Sequence, residues 1–355
     1  MLSLLVVRRA CAMVTVSAAM AIATSSGAQK GVVVKADEAA HRVDVTIDGT
    51  PFTSYLWDTN QRKPVLYPLI APDGTTVTRG YPFAMRPGER VDHPHHAGLW
   101  FNYGNANGFD FWNNSDAIPV AQRPKYGTIT HDHIVSVKSG KDAGELIVES
   151  TWTTGAGDKI LVQTTRYVFR RTTVGGAPAR GVDLTVTLKA LSPVVFHDDK
   201  EGLLGLRVAH FLESPTEKGG VFMDAQGNPT QVAAADPAGA TGVYRTSEGK
   251  TGDAAWGTRG AWCLLSGTTS DGKAETIAIL DNKANPGYPA YWHARGYGLF
   301  GVNPLGAHIF DPKVPAMNYS IATGDSATFK YRILIVSGTA SDAEINKQAS
   351  AFDAE

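Results

Sequence analysis

Hydrophobic and polar residues alternate along most of the chain beyond residue 30. In "RVDVTID", Val43, Val45 and Ile47 share one face, and in "GVDLTVTLKAL" the even-numbered positions 182–188 are apolar. A side-chain period of two is typical of strands with one buried face. Gly-, Pro- and Asn-rich turns separate these segments from "GELIVESTWTT", "KILVQTTRYVFRRTT", "ETIAILD" and "ATFKYRILIVSG". The pattern predicts an all-β fold, a large antiparallel β-sandwich.

One segment has a helical pattern, "SDAEINKQASAFDAE" at the C-terminus. Ser341 and Glu344 have the spacing of a capping box. An apolar stripe is formed by Ala343, Ile345, Ala349 and Phe352. We expect a short C-terminal helix that packs against an edge or end of the sheets.

A length of 355 residues suits either two average domains or one large β-rich or α/β domain. We assign residues 29–355 to a single sandwich domain, because no long polar linker divides them. Residues 213–259 are rich in Gly, Ala, Thr and Asp. They are predicted to form a loop-rich insertion with short strands at the edge of a site.

Residues 1–28 have the pattern of an export signal. Arg8 and Arg9 precede the apolar stretch "ACAMVTVSAAMAIA", and "SSGA" ends in small residues suited to cleavage after Ala28. An uncleaved anchor is the alternative, but the stretch is short and Ala/Ser-rich for a span of about 20 apolar residues. We expect a periplasmic or secreted protein with no stable membrane span after cleavage. Cys263 would then be its one cysteine, which cannot form an intramolecular disulfide.

Charge gives little indication of a macromolecular partner. The chain has 33 Lys and Arg against 34 Asp and Glu, a net charge of −1. This balance argues against nucleic acid and favours a small neutral or weakly charged ligand. The sequence does not indicate the oligomeric state.

Residues 91–112, "VDHPHHAGLWFNYGNANGFDFW", contain three of the ten histidines and two of the seven tryptophans. Pro94 disfavours a central strand, so a strand end or ordered loop is expected. In an extended backbone His93 and His95 would lie about 7 Å apart on one side. That spacing suits two ligands of one metal or two contacts to one sugar ring.

A metal would need further ligands, for which the candidates are Glu201, His210 and His293. Because no second spaced cluster is present, we predict neither a metal nor another cofactor.

The aromatic residues of this block alternate with carboxamides and acids. A sugar places its C–H face on an aromatic ring and its hydroxyls against polar side chains. We therefore predict a sugar site, although buried core indoles and a histidine-bonded turn are the structural alternatives. His95 or His96 is the predicted general acid or base, with Glu201 or Asp110 as the opposing carboxylate.

Two later segments carry similar side chains at predicted strand ends, "FHDDKEGLLGLRVAHF" and "AILDNKANPGYPAYWHARGYGLFGVNP". For Asp198 and Asp199 a plain acidic turn is the preferred interpretation. With the first block, these segments supply the predicted substrate-binding residues His93, Trp100, Asn107, Trp112, Lys200, Arg207, Asp281, Asn282, Trp292, His293, Arg295 and Asn303. Trp100, Trp112 and Trp292 are the expected sugar platform.

Three blocks, "HPHHAGLWFNYGNANGFDFW", "KEGLLGLRVA" and "ILDNKANPGYPAYWHARGYGLFGVNPLG", resemble those of the PmoA-like family of exported bacterial proteins. The resemblance covers about residues 30–340, and Ala97 and Leu203 depart from it. It implies an association with sugar-oxidising dehydrogenases and glycoside-degrading systems. By analogy of fold, it also implies a sandwich like that of galactose mutarotase-like proteins.

The first hypothesis is an exported carbohydrate-active enzyme that acts on a glycoside or an oxidised sugar. One alternative is a non-catalytic sugar-binding sandwich. A second is a metal-dependent oxygenase or lyase that uses His93, His95 and His96. Convergence of His95, His96, Glu201 and His293 in one pocket would favour catalysis.

The export signal gives a direct test. We expect N-terminal sequencing of the exported protein to begin near Gln29, because the small residues before it suit cleavage. Recovery of only the full-length chain from the cytoplasm would contradict this expectation.

Overall fold

The computed structural model describes residues 30–234 and 239–355. The predicted signal peptide, residues 1–28, lies outside the described residues. In chain order the strands are β1 (Val32–Asp37), β2 (Arg42–Ile47), β3 (Thr50–Leu56), β4 (Val65–Leu66), β5 (Leu99–Tyr103), β6 (Thr128–Lys138), β7 (Ala143–Thr153), β8 (Lys159–Val174), β9 (Ala177–Ala190), β10 (Val194–Phe196), β11 (Gly202–Arg207), β12 (Lys218–Met223), β13 (Pro229–Ala234), β14 (Val243–Thr246), β15 (Trp262–Thr268), β16 (Ala274–Asp281), β17 (Tyr291–Arg295), β18 (Leu299–Asn303), β19 (Tyr319–Ile321) and β20 (Ser326–Ser337). The α-helices are α1 (Ala307–Phe310) and α2 (Asp342–Asp353).

Two eight-stranded antiparallel sheets form the predicted sandwich. The first has the order β1-β2-β3-β4-β5-β11-β18-β17, and the second the order β14-β15-β16-β20-β9-β8-β7-β6. Two separate two-stranded antiparallel pairs are also present, β10 with β19 and β12 with β13. The all-β prediction is therefore confirmed.

The core lies between the facing sides of the two sheets. The predicted apolar face of β9, from Val182 to Leu188, is buried at every second residue. Aromatic pairs join the sheets, for example Phe52 with Phe169 at 6.2 Å and Phe101 with Phe329 at 6.0 Å between ring centroids. Burial of this apolar surface is the main driving force for the sandwich.

Helix α2 begins as the sequence predicts. Ser341 and Glu344 form both hydrogen bonds of the capping box. Ile345 and Phe352 are buried, whereas Ala343 of the predicted stripe is exposed. The helix covers the outer face of the second sheet and not an edge, because β15, β16 and β20 carry apolar residues on both faces.

Residues 213–259 contain the β12–β13 pair and β14, which is the edge strand of the second sheet. The segment also includes a short 3₁₀ turn, Gly252–Ala255. Its first residues pass close to the histidine-containing loop of residues 92–98, which we call the histidine loop.

Two glycines open the outer face of the first sheet, where β5, β11, β18 and β17 lie side by side. Trp100 pairs with Gly205, and His293 pairs with Gly301. A Cβ atom on Gly205 would lie 2.4 Å from the Trp100 ring and would displace it. The absence of side chains at these positions leaves room for rings on the outer face.

We expect Ile345→Ala to lower the free energy of unfolding by about 2 to 4 kcal/mol, because it removes a fully buried side chain between α2 and the second sheet. Urea denaturation measures this, with the exposed Lys347→Ala as control. Equal midpoints for the two variants would show that the helix adds little to the stability of the sandwich.

Candidate functional site

A polar cleft lies on the outer face of the first sheet. It encloses about 540 Å³, within the usual size of small-molecule sites. It is lined by His93, His95, His96, Asn113, Asp199, Lys200, Glu201, His293, Arg295 and Tyr297. We call it the histidine cleft. Predicted residues from all three sequence segments therefore meet in one place.

The histidine loop is turned and not extended, so the spacing considered for an extended backbone does not apply. His93 has a positive φ of 43°, and the His96 amide donates to the His93 carbonyl over 2.9 Å. The turn brings His93 and His95 to 5.7 Å between ring centroids. It also stacks His93 on His96 at 4.9 Å.

Four rings form a column from the cleft towards the sheet. Tyr297 stacks on His93 at 5.1 Å, His93 on His96, and His96 on Trp100 at 5.3 Å. Tyr297 and His93 are partly exposed, whereas His96 and Trp100 are buried. The aromatic surface available to a ligand is therefore the outer end of the column.

A buried charge cluster holds the loop from beneath. Asp92 accepts hydrogen bonds from Arg79 over 2.6 Å and from Arg207 over 2.7 Å. Arg79 also donates to the carbonyls of His93 and His96. Burial raises the pKa of Asp92, but the hydrogen bond with His93 and the charges of Arg207 and Arg79 outweigh it and hold that pKa well below the usual range.

Arg207 is predicted as a substrate contact, but it has no exposed surface. Its guanidinium binds Asp92 and lies 3.9 Å from Glu213. The structure therefore gives Arg207 a supporting position behind the loop.

Both ring nitrogens of His96 face donor groups. The indole N–H of Trp112 donates to its Nε2 over 3.1 Å, which places the ring proton on Nδ1. Nδ1 then cannot accept from Arg207, whose guanidinium nitrogen lies 3.5 Å away, so in this tautomer that contact is not a hydrogen bond. Burial, with the positive side chains nearby, lowers the pKa of His96 well below its ordinary value. These contacts favour a supporting part for His96 over the predicted acid–base role.

His95 is better placed than His96 to form a hydrogen bond with a ligand. Its Nε2 is buried and has no hydrogen-bond partner among residues 30–234 and 239–355. Burial, followed by the charge of Lys63, lowers the pKa of His95 to about 2, so the imidazole is neutral near pH 7. It can therefore donate or accept a hydrogen bond, but it is not a protonated acid in the free protein.

Lys63 contacts the backbone of His95. Its ammonium donates to the His95 carbonyl over 2.8 Å and lies 5.4 Å from the Trp100 ring centroid. Burial lowers the pKa of Lys63 to about 7, although Asp110 opposes the effect.

Glu201 and His293 face each other across the cleft. His293 Nε2 lies 3.8 Å from Glu201 Oε2, and Trp256 donates to His293 Nδ1 over 3.3 Å. The His293 proton is therefore on Nε2 and directed at the carboxylate. Burial, then the charges of Arg295 and Lys200, lowers the pKa of His293 to about 3.

The two oxygens of Glu201 have different surroundings. Oε1 binds Lys200 over 2.7 Å, whereas Oε2 is buried without a hydrogen-bond partner in the described part of the chain. Buried polar atoms in native proteins are usually paired, so this oxygen requires a partner such as a water molecule, an ion or a ligand group.

Asp199 also borders the cleft, although the sequence favoured a plain turn there. Its Oδ1 accepts the Glu201 amide over 2.9 Å, so the side chain does shape the turn. Burial raises the pKa of Asp199, and the charge of Glu201 adds to the effect. The histidine cleft thus contains a second carboxyl group, with a pKa raised above its ordinary value.

Several predicted residues have structural positions outside the cleft. Asp110 accepts from the amides of Trp112 and Asn113 and shapes their turn. Asn107 binds the backbone of residues 193 and 195, and Asn303 donates to the Asp199 carbonyl.

Asp281 and Asn282 lie at the end of β16 in the second sheet. Asp281 accepts from Asn285 and from the Ala290 amide, and Asn282 donates to the Phe352 carbonyl beside α2. They stabilise that loop and the helix and do not line the histidine cleft.

The three indoles of the expected sugar platform are buried. Trp292 alternates with His293 along β17 and therefore points into the core. Trp100 and Trp112 form a cluster beneath the histidine loop, with ring centroids 5.1 Å apart. Composition alone could not separate these core indoles from an exposed platform.

Sequence reasoning missed Asn113 and Tyr297 in the cleft and the supporting residues Arg79 and Lys63. Tyr297 and Asn113 lie next to predicted site residues in the sequence, and this proximity could have identified them as candidates. Arg79 and Lys63 lie outside the three predicted site segments, so no sequence pattern indicated their role.

Among residues 30–234 and 239–355, no group of three or more His, Cys, Asp or Glu is arranged to hold a metal ion. Within the same ranges, no helix has the length and apolar character needed to cross a membrane.

Residues 42–350 match a family described as "Family of unknown function (DUF6807)". No curated protein matches the sequence. Among solved structures, the galactosidase domain of an alpha-galactosidase-sucrose kinase shares 8% identity at a TM-score of 0.38, over 86% of this chain and 42% of that chain. A galactose 1-epimerase from Lactobacillus acidophilus NCFM shares 9% identity at a TM-score of 0.36, over 84% and 95%.

The neutral histidines predict a pH dependence of stability. Below pH 6.5 the unfolded chain protonates these imidazoles, whereas His95 and His293 stay neutral in the fold down to about pH 2 and 3. Stability should therefore fall as the pH falls from about 6.5 to 3, by about 1.4 kcal/mol per pH unit for each such histidine.

Denaturant unfolding at several pH values measures the slope. We expect His293→Asn to reduce it by one histidine's share and the exposed His133→Asn to leave it unchanged. An identical slope for His293→Asn and the unchanged protein would disprove the burial effect.

Proposed function

We propose that this chain, which belongs to the DUF6807 family, is a carbohydrate-active enzyme that transfers protons within the histidine cleft. Glu201 acts as the proton acceptor, and the neutral side chains of His95 and His293 hydrogen-bond the reacting oxygen atoms. The observation that carries this proposal is the unpaired Oε2 of Glu201, which faces the N–H of His293 at 3.8 Å.

The arrangement favours proton transfer next to a sugar carbonyl or at the anomeric centre. A base must reach the proton it removes, and a neutral N–H can stabilise the negative charge that develops on oxygen. Burial raises the pKa of Asp199, which lies beside the same base, and so makes this carboxyl group easier to protonate. Epimerisation, isomerisation or elimination would all use this set of groups.

A sugar is the ligand class that best fits the lining. The histidine cleft has donors in Lys200, Arg295 and Asn113, acceptors in its carboxylates, and the edge of the Tyr297–His93 stack. Sites that pair each hydroxyl and present a flat ring recognise polyhydroxylated molecules. The resemblance to PmoA-like proteins supports the same ligand class. We also propose that the protein is exported to the periplasm or the medium.

The proposal is tested with Glu201→Gln. Turnover should be followed on aldoses, methyl glycosides and keto-glycosides, with ligand affinity measured by titration calorimetry. We expect turnover to fall at least about 100-fold, because the general base is lost, while affinity changes little. The exposed Glu248→Gln is the control.

Unchanged turnover in Glu201→Gln would overturn the assignment of the base. Sugar binding without turnover of any of these compounds by the unchanged protein would support the non-catalytic alternative.

A further inference from the structure

A second cavity of about 560 Å³ adjoins the histidine cleft. His93, Arg295 and Tyr297 line both spaces, so the two spaces are neighbours that share these side chains as walls. The additional wall comes from residues 214–219 of the insertion, with Asp253 and Trp256. We call this space the side lobe. Each of the two spaces is large enough for a small ligand.

The backbone at Gly296 keeps the side lobe open. A Cβ atom there would lie 3.2 Å from Ser214 Cβ and 3.5 Å from Asp253 Oδ1. The Ser214 amide donates to the Gly296 carbonyl over 2.8 Å and fixes this approach. The Ser214 hydroxyl is buried and has no hydrogen-bond partner in the described ranges, so a polar atom at the lobe is left for a ligand.

Charged residues of both signs line the side lobe, and the cations Arg90, Lys218 and Arg295 outnumber the carboxylates Asp92 and Asp253 by one. Arg90 is 3.2 Å from Glu213, and Asp92 binds two arginines. Exposed Lys218 and Asp253 add one charge of each sign. A neutral polar ligand suits this balance better than a strongly charged one.

An aromatic surface lies between the two spaces. Arg295 lies 5.6 Å from the Trp256 ring centroid and 5.9 Å from that of Tyr297, so its guanidinium is held at the wall that the two spaces share. Trp256 is half-buried and donates its indole proton to His293. The same residue thus contacts the proposed catalytic histidine and borders the side lobe.

We propose that the side lobe is a second sugar-binding subsite and that the substrate contains at least two linked sugar units. One unit occupies the histidine cleft and the next occupies the side lobe, so the bond between them lies beside His93, Arg295 and Tyr297. This inference rests on the proposed carbohydrate function and names its substrate class as a disaccharide or longer glycoside.

The test compares ligands of one and two sugar units. Methyl glycosides of glucose, galactose and xylose are titrated against disaccharides of the same sugars by calorimetry. We expect the best disaccharide to bind at least about tenfold more tightly than its methyl glycoside, because it also fills the side lobe. Equal affinities throughout would overturn the second subsite.

Ser214→Gln fills the side lobe, and Lys218→Ala removes part of its wall without adding bulk. Either should weaken disaccharide binding, Ser214→Gln by about tenfold, and leave methyl glycoside binding unchanged. The exposed Lys250→Ala, which is outside both spaces, is the matched control. Melting temperatures identify a variant that fails to fold, and Lys218→Ala then decides the result.

Loss of affinity for both ligand classes in a folded variant, or for neither class in both variants, would disprove the subsite. Failure of the acid–base proposal gives a different result. Glu201→Gln would then retain its turnover on both methyl glycosides and disaccharides. Absence of binding by every sugar tested would overturn both proposals.

Discussion

Two buried arginines and one aspartate determine the form of the site. Arg79 and Arg207 are at most 1% exposed, and both donate to one oxygen of Asp92. Removal of one partner from such a cluster leaves an uncompensated buried charge, which typically costs about 3 to 5 kcal/mol. Since Arg79 also holds the carbonyls of His93 and His96, the turn that gathers the three histidines depends on this cluster.

The two faces of the first sheet have different roles, one in the core and one in the site, because side chains alternate along a strand. Inward side chains such as Trp292 and Phe101 build the core, whereas their neighbours His293 and Trp100 lie on the outer face. Polar side chains on the outer face therefore do not disrupt the packing between the sheets. Gly205 provides the space that the Trp100 ring needs on this face. Because Gly205 has no side chain, the ring can lie against the sheet and support the histidine column.

Sequence patterns predicted the features that depend on local geometry. The alternation in β9 and the capping box of α2 are local, and both are present. Which indoles are buried depends on pairings between distant strands, so composition could not show that the three indoles of the expected sugar platform are buried. Arg79 could not be found either, because its importance comes only from contact with a loop more than ten residues away.

The sequence brought His95, Glu201 and His293 to notice by residue type, but their chemistry depends on burial. A histidine is attractive as an acid or base because it ordinarily titrates near neutrality. Here burial and neighbouring cations hold the pKa of His95 near 2 and that of His293 near 3. In the proposed reaction the proton acceptor is therefore a carboxylate, and the neutral imidazoles serve as oriented hydrogen-bonding groups for a substrate oxygen.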